Sequence, residues 1–484
     1  GVGGALVLDP AAASLADPAG QLVADLLYDG LTELDDEGVA RPALATAWTV
    51  DEAFETWRFT LDEARTFASG RPVTATEVVG SLQHVIAGGD ASLAALRLED
   101  VQGFRAYLDG AAPTVAGLRA LDARTVEIAL ATPLAILPEL LAAPSYGITA
   151  TPGTVPPPTD LDLSGAWAVR SAQADGSAVE LARREGSAAH LEGIELRAHA
   201  DAAEAYTAFE DGDVDWAPVP VERFGDAVGA YGDDHFAPFQ AELFFGLRAD
   251  APGLDKRQLR QAIAAAIDRE AIVRAVYPDL ADPLDAVVPV GVPGRAADSC
   301  AACDRDVVRA RRLLAEGFPD GNIPTVAIDY DASPAQEAMA KTVADQLGAV
   351  GITTTQRAMP LPDYQRFIVQ GGQQLFSFGW IGGYASPDAY LSPLFRSTSN
   401  DNLVALRSAD VDYLLGQARA QADPAARAEL WAEAQRFVLD EAFVVPIAQF
   451  RTQVVVADRV EALVHRVDGT VRWSDVWLAD AGTR

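Results

Sequence analysis

The sequence has little cysteine, little lysine and no long hydrophobic run. Its 484 residues include two cysteines, too few for a framework of disulfides. Lysine occurs only at Lys256 and Lys341, and neither follows a glycine, which excludes the phosphate-binding loop that ends in Gly-Lys. The longest apolar stretch, Leu130–Pro144, is shorter than the roughly 18 residues that a membrane-spanning helix needs, and prolines interrupt it. We therefore expect no transmembrane helix.

Enzyme motifs and excess positive charge are also missing. The chain has no G-x-S-x-G nucleophile elbow, no H-E-x-x-H zinc motif and no G-x-G-x-x-G between a strand and a helix. The net charge of -33 means that the surface repels nucleic acid and anionic lipid headgroups. We therefore expect a protein that is not an enzyme, has no cofactor or metal, and binds neither nucleic acid nor, by its own surface, a membrane.

The two cysteines, Cys300 and Cys303, stand three residues apart in SCAACD. Such a pair forms a local disulfide, half of a zinc site or a redox centre. None of the five histidines has ligand spacing near it, and a redox centre normally has a small βαβ unit of its own. We favour a disulfide in an oxidising compartment, which would stabilise the fold by about 2 kcal/mol.

What the sequence does contain is typical of a folded α/β protein. Apolar residues make up 49% and charged residues 22% of the chain, and its length alone suggests about three compact units. Trp57–Leu61 alternates apolar and polar residues, which predicts a half-buried strand. Thr74 and Glu77 have the spacing of a capping box at the start of a helix that ends at Gly88.

Strand and helix patterns continue to the end of the chain. Thr151–Asp160 holds four prolines and is expected to be a surface connection. The remaining patterns predict strands at 125–130, 243–250 and 443–450. They also predict four helices: one that carries Leu259, Ile263 and Ile267, a second capped by Asp268, a third that begins at Ser333-Pro334 and a fourth that begins at Asp423-Pro424. We predict two large α/β lobes.

These segments, in this order, resemble the family 5 extracellular solute-binding proteins, the oligopeptide and dipeptide receptors of bacterial ABC importers. LVADLLYDGLTELDDEGVARPALATAW is similar to the opening signature of that family. WRFTLDEARTFASGRPVTATEVVGSL, TVEIALATP, LFFGLRADAPGLDKRQLRQAIAAAIDREAIV and the tail from FSFGWIGGYASPDAYL to EAFVVPIAQF complete the series. The resemblance covers nearly the whole chain.

The resemblance implies a two-lobed type II periplasmic-binding-protein-like fold that closes over its ligand. Lobe I would comprise residues 1–249 and 441–484, with 36–150 as an inserted subdomain, and lobe II residues 250–440. The hinges would lie just after FFGLRA and just before VVPIAQ. The ligand would be captured in the cleft, without chemistry, as a pre-existing closure equilibrium is shifted.

The resemblance also suggests which residues hold the ligand. Peptide-binding members commonly carry an aspartate in a block that reads like Trp-x-Ala-Asp-Tyr, and it pairs with the peptide's ammonium group. Here the block is Trp380-Ile381-Gly382-Gly383-Tyr384, with glycine in place of the acid. Either the ligand has no buried amine or another carboxylate, such as Asp388, has taken over. We expect contacts from main chain and rings at Trp380, Gly382, Gly383 and Tyr384, although core packing is the alternative for both aromatic residues.

Two further positions match the family, each with a structural alternative. Asn402 corresponds to a recurring asparagine that contacts ligand or stabilises a turn, and Asp9 follows the first strand, where it faces the cleft or caps a turn. The expected ligand is an oligopeptide; a sugar or an amine-blocked or modified peptide is the alternative, and a secreted hydrolase on the same scaffold is the alternative of another class. The expected protein is a monomer outside the cytoplasm that delivers ligand to permease subunits and is lipid-anchored through a residue upstream of Gly1.

Overall fold

The computed structural model describes residues 1–13, 17–233, 236–296, 300, 304–466 and 468–479. The chain divides into two compact units. Unit 1 comprises Gly1–Ala237, Gly383–Ala385 and Thr452–Arg484, and unit 2 comprises Pro238–Gly382 and Ser386–Arg451. Within the described ranges, no helix is both long and apolar enough to cross a membrane.

Unit 1 is built from short strands and helices. Its strands are β1 (Val2–Gly3), β2 (Thr32–Leu34), β3 (Ala40–Pro42), β4 (Ala45–Val50), β5 (Thr56–Leu61), β6 (Leu118–Ala120), β7 (Thr125–Ala129), β8 (Trp167–Ala172), β9 (Ala178–Arg183), β10 (Gly193–His199), β11 (Trp216–Pro218), β18 (Val454–Val456), β19 (Val460–Glu461) and β20 (Trp477–Leu478). Its helices are α1 (Pro18–Leu27), α2 (Ala75–Ala87), α3 (Leu93–Leu96), α4 (Phe104–Leu108), α5 (Leu137–Leu140), α6 (Ala202–Glu210) and α7 (Phe224–Tyr231), with 3-10 turns at Pro10–Ala12, Gly89–Ala91, Pro144–Tyr146, Pro158–Asp160 and Val221–Arg223.

Two four-stranded sheets organise unit 1. One has the order β1-β10-β9-β8 and the other, within the region predicted as an insertion, the order β4-β5-β7-β6. Residues of α1 and of the first sheet share a core that includes Leu27, Leu163, Trp167 and Leu181. Three pairs, β2-β3, β11-β18 and β19-β20, complete the unit. All neighbouring strands of the two large sheets pair antiparallel, except β1 and β10, which are parallel.

Unit 2 is centred on one mixed sheet. Its strands are β12 (Pro238–Leu247), β13 (Ala281–Pro283), β14 (Val326–Asp331), β15 (Thr354–Met359), β16 (Leu375–Ile381) and β17 (Val444–Arg451), in the order β13-β17-β12-β16-β14-β15. Its helices are α8 (Arg257–Ala266), α9 (Arg269–Val276), α10 (Val307–Gly317), α11 (Pro334–Val350), α12 (Leu361–Val369), α13 (Asp388–Phe395), α14 (Ala409–Arg419) and α15 (Pro424–Asp440). The pairs β14-β15 and β14-β16 are parallel, whereas β12 pairs antiparallel with β16 and β17.

The local predictions are confirmed where they depend on short-range chemistry. In β5, Trp57, Phe59 and Leu61 are buried while Arg58 and Thr60 are exposed. Helix α2 begins with the predicted capping box and ends at Gly88. The predicted N-caps also hold: Asp268 accepts from the Ala271 N–H, Ser333 from the Gln336 N–H and Asp423 from the Ala426 N–H. Thr151–Asp160 contains no strand and is mostly exposed.

The structure differs from the sequence analysis around β12 and β17. The strand predicted at Leu243–Asp250 begins at Pro238 and ends at Leu247. The chain passes between units at 237/238 and 451/452, rather than after Ala249 and before Glu441. The reason is that β12 and β17 pair with each other inside the sheet of unit 2. A shift in that pairing falls beside Pro446, which has no N–H to donate to the ladder.

Candidate ligand-binding site

The block Trp380–Tyr384 begins at the end of β16. Trp380 is 7% exposed, and its indole N–H donates to the Ala389 carbonyl at 2.9 Å. Its ring lies 6.0 Å from that of Phe378, two residues earlier on the same face of β16. Because Trp380 and Ala389 both belong to unit 2, this contact fixes the orientation of the indole within the unit.

The structure favours glycine at both positions 382 and 383, for a different reason at each. A Cβ atom at Gly382 would lie 2.6 Å from the ring of Tyr390, closer than real contacts allow. The Tyr390 ring is itself held, since its hydroxyl donates to the Gln240 carbonyl at 3.0 Å. Gly383 has a φ of 86°, in the left-handed region that favours glycine. A larger residue would therefore collide with Tyr390 at position 382 and would adopt an unfavourable backbone conformation at position 383. Gly383 and Tyr384, which is buried, are assigned to unit 1.

Asp388 is engaged inside unit 2. It opens α13, is 1% exposed, and accepts a hydrogen bond from Arg419, itself 9% exposed, at 2.8 Å. The Ser392 hydroxyl donates to its other oxygen at 2.5 Å. The prediction that Asp388 replaces the missing acid stays a prediction, but its charge is already compensated by a guanidinium group.

Asn402 holds a turn of unit 2 together. Its amide group donates to the carbonyls of Arg396 and Leu406 at 3.1 and 2.8 Å, and its side-chain oxygen accepts from the Leu406 N–H at 3.0 Å. Within this turn Ala405 has a φ of 56°, a strained conformation for alanine. These contacts support the turn-stabilising alternative for Asn402.

Asp9 lies in unit 1 and has two partners there. One carboxylate oxygen accepts from the Ala11 N–H at 3.0 Å and caps the turn that begins at Pro10. The other is 2.8 Å from Nε2 of His84. The capping alternative therefore describes Asp9 in the structure, and contact with a ligand stays a prediction.

The cysteine pair is described only in part. Cys300 is disulfide-bonded, whereas Cys303 lies outside the described residues. Within the part of the chain that the structure describes, no group of three or more histidine, cysteine, aspartate or glutamate residues could hold a metal ion.

Glu242, on β12, is a residue that the sequence analysis passed over. It is 1% exposed, and neither carboxylate oxygen has a hydrogen-bond partner among the described residues. Burial raises the pKa of this carboxyl group well above its ordinary value. It lies directly opposite Trp380 on β16 and Gln449 on β17, so the three side chains share one face of the sheet. The signal in the sequence is an acid within the run FQAELFFGL.

A cavity of about 640 Å³ lies within unit 1 and was not predicted either. Its polar lining groups bind the protein itself. Asp25 accepts hydrogen bonds from the N–H groups of Val471 and the Trp473 indole, and Arg184 donates to the carbonyls of Gly165 and Thr66. Burial raises the pKa of Asp25 to about 7. These groups link distant segments of the unit.

Comparison with known proteins defines the class. The model of the family described as "Bacterial extracellular solute-binding proteins, family 5 Middle" matches residues 40–402. The match covers most of the chain, and its limits include the sheet of β4 to β7 and the block from Trp380 to Tyr384. The chain belongs to this family and is therefore an extracytoplasmic solute-binding protein, as the resemblance predicted, with the two-lobed α/β fold of that class.

Among individual proteins, similarity is low in sequence and extensive in coverage. The chain is 22% identical over 475 residues to the dipeptide-binding protein DppE of Bacillus subtilis (strain 168), covering 93% of this chain and 86% of the relative. It is 27% identical over 463 residues to the glutathione-binding protein GsiB of Escherichia coli (strain K12), covering 91% and 86%. The unliganded open form of the periplasmic murein tripeptide binding protein MppA superposes with a TM-score of 0.86 at 19% identity, covering 98% and 96% of the two chains.

Proposed function

We propose that this protein is the receptor of an ABC importer and that its ligand is a short peptide. The observation that carries the proposal is the family match over residues 40–402. The names of the relatives described above specify a dipeptide, glutathione and a murein tripeptide, all of them peptides or modified peptides. Capture by closure of two lobes, without turnover, is part of this proposal.

The proposed ligand contacts are main-chain groups and rings of the block Trp380–Tyr384. Gly382 and Gly383 are buried, and the Gly382 N–H donates to the Gln240 carbonyl at 3.4 Å. Because neither residue has a side chain, an extended peptide that enters here can approach their main chain closely. The insertion of residues 36–150 into the first lobe belongs to the same proposal. Asp9, Asp388 and Asn402 are proposed as supports of the site, because their polar atoms bind groups of their own unit.

The partners and location follow from the same assignment. We propose that the receptor acts as a monomer, that permease subunits of the importer accept its ligand-bound form, and that a lipid attached upstream of Gly1 holds it at the cell surface. Native mass of the extracted protein would test the monomeric state, and detergent partitioning of cells that express the full gene would test the lipid anchor. A soluble, unmodified native protein would contradict the anchor.

Thermal unfolding with ligand libraries tests the proposal directly. A ligand that binds only the folded state at 100 times its Kd raises the free energy of unfolding by about 2.7 kcal/mol. For a unit of roughly 200 residues this corresponds to a Tm increase of about 5–10 °C. We expect such shifts with di- and tripeptides and none with oligosaccharides of similar size. Shifts with sugars alone would favour the sugar alternative.

The test also separates binding from catalysis. Peptides that stabilise the protein are incubated with it and followed by mass spectrometry. We expect every peptide to be recovered intact. Accumulation of a cleaved product that heat-denatured protein does not produce would favour a hydrolase on this scaffold. N-acetylated peptides in the same library address the amine-blocked alternative.

A further inference from the structure

Glu242 is one of several deeply buried acids in the described part of the chain. Three of those acids, Glu127, Asp329 and Asp388, each bind an arginine. Glu242 is as buried as they are, yet both of its carboxylate oxygens lack a hydrogen-bond partner among the described residues. An acid without such a partner is destabilising in a buried position, so its presence calls for a reason other than folding.

The position of Glu242 in the sheet suggests which chemical group of a ligand could bind it. It stands directly opposite Trp380 in the antiparallel pair of β12 and β16, where facing Cβ atoms are about 4.5–5.5 Å apart. An aromatic face next to a carboxylate is an arrangement that attracts a primary ammonium group. Gln449, on the other side, does not compete, because its amide binds Phe239 and Val290.

We propose that Glu242 receives the primary ammonium group of the ligand, beside the ring of Trp380. This inference rests on the proposed peptide-binding function and names the acid that takes the place left empty at Gly383. Because both side chains are buried, the ligand reaches Glu242 only when the packing around Trp380 adjusts. The preference of the site for a cation would come from a carboxyl group that makes no ion pair with any of the residues that the structure describes.

The proposal has a consequence for protons. Burial, with no charged group contributing, raises the pKa of Glu242 and so favours the neutral acid when no ligand is bound. The side chains opposite it on β16 and β17, Trp380 and Gln449, do not titrate. When R–NH₃⁺ binds, the neutral acid loses its proton to buffer and becomes the carboxylate that pairs with the ammonium group. Binding should therefore release up to one proton, which calorimetry in buffers of different ionisation enthalpy measures.

The experiment compares wild type with E242Q by titration calorimetry at neutral pH. The probes are trialanine, N-acetyl-trialanine and N-acetyl-Ala-Lys-Ala, which carry an α-ammonium group, none, and a side-chain ammonium group. We expect wild type to bind trialanine at least about tenfold more tightly than its acetylated form and E242Q to lose that preference. The lysine probe shows whether the site accepts the side-chain ammonium instead. E441Q is the matched control, since Glu441 pairs with Arg260 in the same unit.

The outcomes separate this inference from the function on which it rests. If wild type and E242Q show the same preference for the free amine, Glu242 is not its partner, although the peptide-binding function stands. If wild type binds all three probes equally, with or without an ammonium group, the inference also fails. If no peptide binds wild type, the proposed function fails and this inference with it. Should E242Q not fold, absence of buffer-dependent proton release in wild type overturns the proposal.

Discussion

Removing the carboxylate of Asp388 is expected to destabilise unit 2 strongly. The side chain is 1% exposed and accepts from Arg419 at 2.8 Å, and it stands at the N-terminus of α13, where the helix dipole favours a negative charge. Breaking a buried ion pair by removing one member costs about 3–5 kcal/mol. In D388N the amide oxygen can still accept from Ser392, so we expect a value near the lower limit, about 3 kcal/mol.

The assay is differential scanning calorimetry, because a chain with two units is not expected to unfold in a single step. For a unit of roughly 200 residues, 1 kcal/mol shifts the Tm by about 2–4 °C, so D388N should lower the transition of unit 2 by about 6–12 °C. The double variant D388N/R419M removes both charges. Since replacing both members of a buried pair is often nearly neutral, its Tm should return to within a few degrees of that of wild type.

The same variants decide whether Asp388 acts on the ligand. If it supports the structure, D388N weakens peptide binding no more than its loss of stability explains, and the preference for a free amine persists. A D388N protein with an unchanged Tm and at least tenfold weaker binding of free-amine peptides would refute this reasoning, and Asp388 would then be the acid that the sequence analysis suggested.

Three further outcomes follow from contacts described above. Because burial raises the pKa of Asp25 from 3.8 to about 7, the folded state holds this proton more tightly than the unfolded state does. The free energy of unfolding should therefore fall as pH rises from about 4 to 7, and D25N should flatten that dependence. Parallel curves of Tm against pH for wild type and D25N would contradict this prediction. Gly382→Ala places a methyl group against the fixed ring of Tyr390 and should lower stability by about 1–3 kcal/mol in urea unfolding. N402A removes three hydrogen bonds from the turn that strains Ala405 and should lower the Tm without changing peptide affinity measured by calorimetry.

Features with short-range causes could be predicted from the sequence. The capping box of α2 and the caps of α9, α11 and α15 involve residues two to four positions apart, so the pattern alone identifies them. Alternation in β5 likewise reports one buried face. The family assignment draws on the order of such segments over the whole chain, and the match to residues 40–402 confirms it.

Features with long-range causes could not. Arg419, which pairs with Asp388, is 31 residues away in sequence, so no local pattern predicts the ion pair. The limits of unit 2 depend on the pairing of β12 with β17, strands about two hundred residues apart. The prediction missed the first five residues of β12. Gln240 and Glu242 make this half of the strand polar in sequence, although both side chains are buried. For the same reason the pattern around Glu242 does not indicate a buried strand residue.

At Gly383 the main chain has turned in a direction that a side chain resists. Reintroducing the relatives' acid as G383D would impose a left-handed conformation on aspartate, which costs about 1 kcal/mol before any ligand is met. The difference at position 383 therefore involves the backbone conformation as well as the missing carboxylate. An aspartate introduced at position 383 would first have to recover that cost from an ion pair with the ligand before it could strengthen binding.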